Sequence, residues 1–177
     1  MSAGNRGLVP PPRSLGRSAF VARFGAVYEH GGWIAEGAWD AGLDAATDTV
    51  AGLHQAMTRI VDGAGEDARL ALLRAHPELG ARAVMTAASV AEQRSAGLDR
   101  LAAETQGRVA AGNARYRERF GFPFILAVRG MGPEEILTAL ERRLGNDRAA
   151  EATTALAEVH RIARLRLEAM AAADPDG

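Results

Sequence analysis

His76 stands directly before a proline, in Ala75-His76-Pro77-Glu78-Leu79-Gly80, and here residue type and spacing point most clearly to chemistry. A proline disfavours the helical region for the residue before it, so the helix carrying Leu70, Leu72 and Leu73 is expected to stop at His76. At a helix C-terminus the dipole favours the protonated imidazole, and a nearby carboxylate pushes the same way. Such a histidine is suited to donate a proton, and a positioned acid or base is worth about 10²–10⁴-fold in rate. The plainer reading of the turn is a helix stop and nothing more. His54 and His160 lie inside helical segments and read as structural; His30, beside Gly31 and Gly32, reads as a C-capping residue.

Two further groups can be weighed beside His76. Ser89-Val90-Ala91-Glu92 matches a capping box, with Ser89 as N-cap and Glu92 reaching back. The same N-terminus would offer unpaired N–H groups to an anionic ligand, with Glu92 and Gln93 projecting from its first turn. In the last helix, residues placed at 100° intervals put Leu156, Val159, Ile162, Ala163, Leu167 and Met170 on one apolar stripe. Arg161, Arg164 and Glu168 fall opposite, but Arg166 falls within the stripe. A buried guanidinium keeps its charge and needs an anion. Either Glu92 or a substrate carboxylate held bidentately would serve.

Several kinds of chemistry are excluded. There is no cysteine, which removes thiol nucleophiles and thiolate metal sites. All 21 basic residues are arginine, so no lysine can form a Schiff base or anchor pyridoxal phosphate. The four histidines are not paired at ligand spacing, so no metal is expected. Neither a glycine-rich phosphate loop nor a nucleophile elbow is present. A net charge of −1 provides no basic field for nucleic acid. The most basic stretch, Arg115 to Arg119, reads as a solvated helix face. No apolar run is long enough for a membrane span. The lack of cysteine, and of an apolar signal region in Met1–Pro12, fits a cytoplasmic protein.

The elements that must position these groups are almost all helical. Phe20, Phe24, Val27 and Tyr28 share one helix face, and Trp33 to Trp39 make a short helical piece. Val50, Leu53, Met57, Ile60 and Val61 mark a helix ending near Asp62-Gly63. Further helices are expected over 89–101 and 106–120. Gly132-Pro133-Glu134-Glu135 starts another that ends near Leu144-Gly145. Asn146 or Asp147 caps the last, which reaches Met170. The apolar, proline-broken segment 121–128 stands apart as a strand or a buried extended stretch. The expectation is one all-α domain over residues 18–171, between a flexible arm at 1–17 and a disordered tail at 172–177.

Taken in order, these stretches resemble the 2-oxo-4-hydroxy-4-carboxy-5-ureidoimidazoline (OHCU) decarboxylase family of urate degradation. The matching text is Leu-Leu-Arg-Ala-His-Pro-Glu-Leu-Gly at 72–80 and Thr-Ala-Ala-Ser-Val-Ala-Glu-Gln-Arg-Ser-Ala-Gly-Leu at 86–98. It continues with Tyr-Arg-Glu-Arg-Phe-Gly-Phe-Pro-Phe-Ile at 116–125 and Ile-Ala-Arg-Leu-Arg-Leu at 162–167. The resemblance spans about Phe20 to Met170. It implies an all-helical, dimeric, cofactor-free enzyme that releases carbon dioxide to give (S)-allantoin. It implies catalytic roles for His76, Glu92 and Arg166. The substrate contacts it implies are Pro77, Ser89, Val90, Ala91, Gln93 and the backbone of Phe124, Ile125, Leu126, Ala127 and Val128. One departure is visible: Glu29-His30-Gly31-Gly32-Trp33 stands where the family more often has Glu-His-Ser-Pro-Trp. The competing class is a non-catalytic helical module that binds a ureide or related carboxylated metabolite.

Overall fold

A computed structural model describes residues 6–80, 87–97 and 103–173. As the periodicities predict, the described residues are helical apart from short connections. The helices are α1 (Arg17–Phe24), α2 (Gly32–Asp40), α3 (Val50–Asp62), α4 (Glu66–Ala75), α5 (Ala87–Ser95), α6 (Ala103–Phe120), α7 (Pro133–Arg143) and α8 (Arg148–Ala173). They group into two compact units, one formed by residues up to Leu72 together with those from His160 onward, the other by Leu73–Val159.

In the first unit, Phe20 and Phe24 of α1 bury their rings 4.9 Å apart, and Trp39 of α2 lies 5.5 Å from Phe20. Leu53, Met57 and Val61, one face of α3, are buried, as are Ile162, Ala163 and Leu167 of α8. Thr49 caps α3, its side chain accepting from the Gly52 amide. Helix α1 is shorter than its apolar spacing predicts. It ends at Phe24, and Val27 and Tyr28 are buried from the turn that follows. A tertiary requirement for burial has continued the apolar phase beyond the last helical residue.

That turn also explains the Gly31-Gly32 departure. His30 takes a left-handed φ of 52°. A Cβ on Gly31 would lie 2.5 Å from Cβ of Tyr28, so the position has no room for a side chain as it stands. Gly31 has φ −100° and ψ 32°, a region that the residue before a proline avoids. The backbone at 31 therefore disfavours proline at 32.

The flexible arm expected over 1–17 is corrected where it is described. Leu8 is buried, its amide donates to Asp48 O at 2.8 Å, and the Val50 amide donates to Arg6 O at 3.0 Å. Gly7 pairs with Thr49 in an isolated bridge, and Pro12–Ser14 form a 3-10 turn. Composition signals a proline-rich segment but not the apolar anchor within it. At the other end, Ala172 and Ala173, expected in the tail, are helical. Residues 1–5 and 174–177 lie outside the described residues, as do 98–101 of the helix expected over 89–101.

In the second unit, α7 begins at Pro133 as expected, and the Glu135 carboxylate reaches back to accept the Gly132 amide at 2.7 Å. Asp147 caps α8 by accepting from the Ala150 amide at 2.8 Å. Between α6 and α7, residues 122–128 are buried without forming a strand. Tyr116, Phe120, Phe122 and Phe124 pack with ring centroids 4.6–6.1 Å apart. Buried main-chain polar groups need partners, and two of this segment's come from side chains. Arg143 Nη1 donates to Ile125 O at 2.6 Å, and the Ala127 amide donates to Glu158 Oε2 at 2.7 Å. Arg143 is itself buried and ion-paired with the buried Glu151, which also accepts from the Tyr116 hydroxyl and from Asn146 Nδ2. Its guanidinium lies 4.8 Å from the Phe124 ring centroid. Burial, and then the hydrogen bond to Glu151, push the Tyr116 phenol far above its ordinary value.

Candidate active site

The turn carrying His76 is built as the sequence implies. Helix α4 stops at Ala75, and the His76 amide still reaches Leu73 O at 3.3 Å. Pro77 has no amide hydrogen with which to continue. The His76 side chain is buried, with 9% of the residue exposed, so its imidazole sits at the negative end of α4 in a largely water-excluded place.

The residues after Pro77 are pinned by side chains from α5 and α6. Gln93 uses both ends of its carboxamide: Oε1 accepts from the Gly80 amide at 2.8 Å and Nε2 donates to Glu78 O at 3.2 Å. Asn113 Nδ2 donates to Leu79 O at 2.7 Å. The Glu78 carboxylate pairs with Arg117. Gly80 completes the turn at φ +74°, a conformation that suits glycine. Gln93, expected as a substrate contact, therefore also holds the histidine turn. Arg117, read from sequence as part of a solvated face, does the same from an exposed position.

The capping-box reading of Ser89 does not hold. Ala87 and Ala88 are already helical, so Ser89 lies inside helix α5, and it is buried. The pattern Ser-x-x-Glu here places two side chains one turn apart on a helix that has already started. Glu92, one turn on, is half-buried. Ser89, Gln93 and Ala96 form the buried face; Val90 is half-buried, and Ala91 is exposed and turned from that face. Of the segment 124–128, all five residues are buried, and the Ala127 amide is engaged by Glu158 rather than held open.

Arg166, in the other unit, is buried as the helical stripe predicts, at 7% exposed. One anion at Arg166 is Glu29, which the sequence reading did not name. Nη1 donates to Glu29 Oε2 at 3.0 Å, and lies 3.4 Å from both Ala26 O and Val27 O. Glu29 is only 2% exposed. It was legible as an acid beside the apolar Val27 and Tyr28, but nothing in the local pattern names a partner 137 residues away.

The structural reading of His54 and His160 is accurate. His160 Nδ1 shares a hydrogen with the Tyr28 hydroxyl at 2.8 Å, its Nε2 faces Asp62 Oδ1 at 3.3 Å, and its carbonyl meets His54 Nε2 at 2.9 Å. Burial lowers the pKa of both imidazoles, with Asp62 opposing it at His160 and the His160 carbonyl opposing it at His54. Burial also pushes the Tyr28 phenol up to about 12. Among the described residues, no group of three or more His, Asp or Glu is placed to hold a metal ion, and no helix is long and apolar enough to cross a membrane.

One unit thus holds a buried histidine just beyond a helix end, and the other a buried arginine paired with a buried carboxylate, within an all-α fold. The chain belongs to the OHCU decarboxylase family, whose profile matches residues 13–168. It is 46% identical over 153 residues to a 2-oxo-4-hydroxy-4-carboxy-5-ureidoimidazoline decarboxylase of Haloferax volcanii, covering 86% of this chain and 89% of that protein. It is 43% identical over 152 residues to the protein of that name from Halalkalicoccus jeotgali, covering 86% and 85%. The crystal structure of an (S)-allantoin synthase superposes with a TM-score of 0.72 at 30% identity. That likeness covers 90% of this chain, which spans about half (52%) of the longer protein.

Proposed function

We propose that this protein removes carbon dioxide from OHCU to give (S)-allantoin, in the degradation of urate. The observation that carries the reading is the family match over residues 13–168, which includes every residue assigned a role below. His76, in a buried turn fixed on both sides, is the acid–base group. Glu92 sets its protonation and hydrogen bonding. Arg166, with its guanidinium oriented by Glu29, recognises the anionic substrate. Pro77, Ser89, Val90, Ala91, Gln93 and the backbone of 124–128 shape the surroundings, with Ala91 contributing through its main chain.

In the reaction, the bond between the ring carbon and the carboxylate breaks, and its electron pair passes into the substrate's conjugated ring C=N as carbon dioxide leaves. The enol left behind becomes the ring carbonyl as it loses its hydroxyl proton, a proton is delivered to the neighbouring ureido-bearing carbon, and delivery to one face sets the S configuration. The substrate's own ring serves as the electron sink, so the reaction needs no resident cofactor. The protein acts in the cytoplasm as a homodimer.

OHCU generated freshly from urate by the two preceding enzymes provides the test. Added protein should speed the appearance of allantoin and make it optically active, against a spontaneous racemic background. Tight binding of an OHCU analogue, with the rate and handedness of the background unchanged, would instead assign a ureide-binding module.

A further inference from the structure

We propose that Asn113 is a positioning residue for His76, acting through the turn that follows it; the inference rests on the reading of His76 as the acid–base group. Asn113 lies in the middle of α6, is 1% exposed, and spends its amide hydrogen on Leu79 O at 2.7 Å. The flanking main-chain groups, Glu78 O and the Gly80 amide, are both taken by Gln93. Three consecutive residues are thus clamped from two helices. Between His76 and the first clamped carbonyl stands only Pro77, whose ring locks φ. On its other side, the His76 amide is tied to Leu73 O at 3.3 Å. The backbone that carries the imidazole has little freedom left, and Asn113 holds the centre of the clamp.

The chemistry of Asn113 argues for a geometric rather than a space-filling purpose. Its Oδ1 is buried and has no hydrogen-bond partner among the described residues. An unpaired buried acceptor is unfavourable, and an apolar residue would fill the same volume without one. The carboxamide is kept for the single bond it makes to Leu79. A misplacement of about 1 Å at a reacting group can cost on the order of 10²-fold in rate, which sets the scale of what such a bond can control.

Two variants test this in the full chain. Asn113→Ser is too short to reach Leu79 but small enough to be accommodated. Asn113→Asp keeps the shape and turns a carboxylate toward the Leu79 carbonyl. Both should lower kcat by about 10–100-fold while KM stays within about threefold, the mark of an interaction that matters in the transition state and not in binding. Burial raises a carboxyl pKa, so at lower pH the introduced carboxyl group becomes protonated and can donate to Leu79. The kcat of Asn113→Asp relative to the parent should therefore recover as pH falls, and that of Asn113→Ser should not.

A folded Asn113→Ser protein with parental kcat, or with a loss confined to KM, would overturn the inference; if Asn113→Asp does not fold, Asn113→Ser alone decides. His76→Asn, measured alongside, separates the two levels. If it keeps full turnover, the assignment of His76 fails and this inference with it. If it is inactive while the Asn113 variants turn over normally, only the positioning role fails.

Discussion

Arg166 and Glu29, 137 residues apart in the chain, meet as a buried ion pair with Nη1 and Oε2 3.0 Å apart. Neither charge has ready access to water. Removing one partner of a buried ion pair is destabilising, at a cost of about 3–5 kcal/mol. Glu29→Gln keeps a carbonyl acceptor and should fall near the lower end, about 3 kcal/mol, in urea unfolding monitored by circular dichroism. The double variant Glu29→Gln/Arg166→Met should lose less than the sum of the singles, because the two sites share one interaction. Additive losses would show that the pair is not coupled.

For the reaction itself, His76→Asn and Glu92→Ala should each lower kcat by about 10²–10⁴-fold and leave the helical circular dichroism intact. His76 lies just past the end of a helix and Glu92 is only half-buried, so neither change removes an apolar core side chain. Near-parental turnover in either variant would remove that residue from the mechanism.

The buried histidines of the first unit set a pH dependence of stability. In the folded state, His54 and His160 both titrate below their ordinary value of 6.5, chiefly through burial. As pH falls, the unfolded chain takes up these protons first, so the unfolded state is stabilised relative to the folded one. The stabilisation is complete above about pH 6.5 and is lost progressively as pH drops toward the folded values. Denaturation midpoints measured between about pH 7.5 and 5 should fall with pH, and His160→Gln should flatten that slope. An unchanged slope in the variant would assign the acid sensitivity to other groups.

Gly32 is the first residue of α2, and a Cβ there would meet nothing within 4 Å. Replacing a glycine in unstrained space restricts the unfolded chain at no native cost, a gain of about 0.4–1 kcal/mol. Gly32→Ala should raise the urea midpoint with no change in slope. Gly31→Ala, whose Cβ would collide with Tyr28, should lower it.

What the sequence could reveal was set by how local each signal is. The helices follow from apolar spacing, and the stop at His76-Pro77 from proline stereochemistry. The burial of Arg166 follows from one helical wheel, since these interactions span a few residues. Where the reading failed, the deciding contact was remote. Val27 and Tyr28 keep the helical phase of α1 because they are buried, not because they are helical. Ser89-x-x-Glu92 has the letters of a capping box, but Ala87 and Ala88 before it are already helical. Leu8 is anchored through Asp48, far along the chain. The clamp from Asn113 on Leu79 bridges 34 residues, and asparagine in the middle of a polar helix carries no mark of it.

The buried segment 122–128 has no strand beside it among the described residues, and two of its main-chain groups are held by Arg143 and Glu158. Its address is therefore written downstream of itself. During synthesis, the segment emerges before the residues that place it, and it cannot take its final position until α8 has been made as far as Glu158. A nascent chain stopped at 150 should present these apolar residues to solvent or to a chaperone. One extended past 160 should bury them, which makes the first turns of α8 the step that completes this part of the protein.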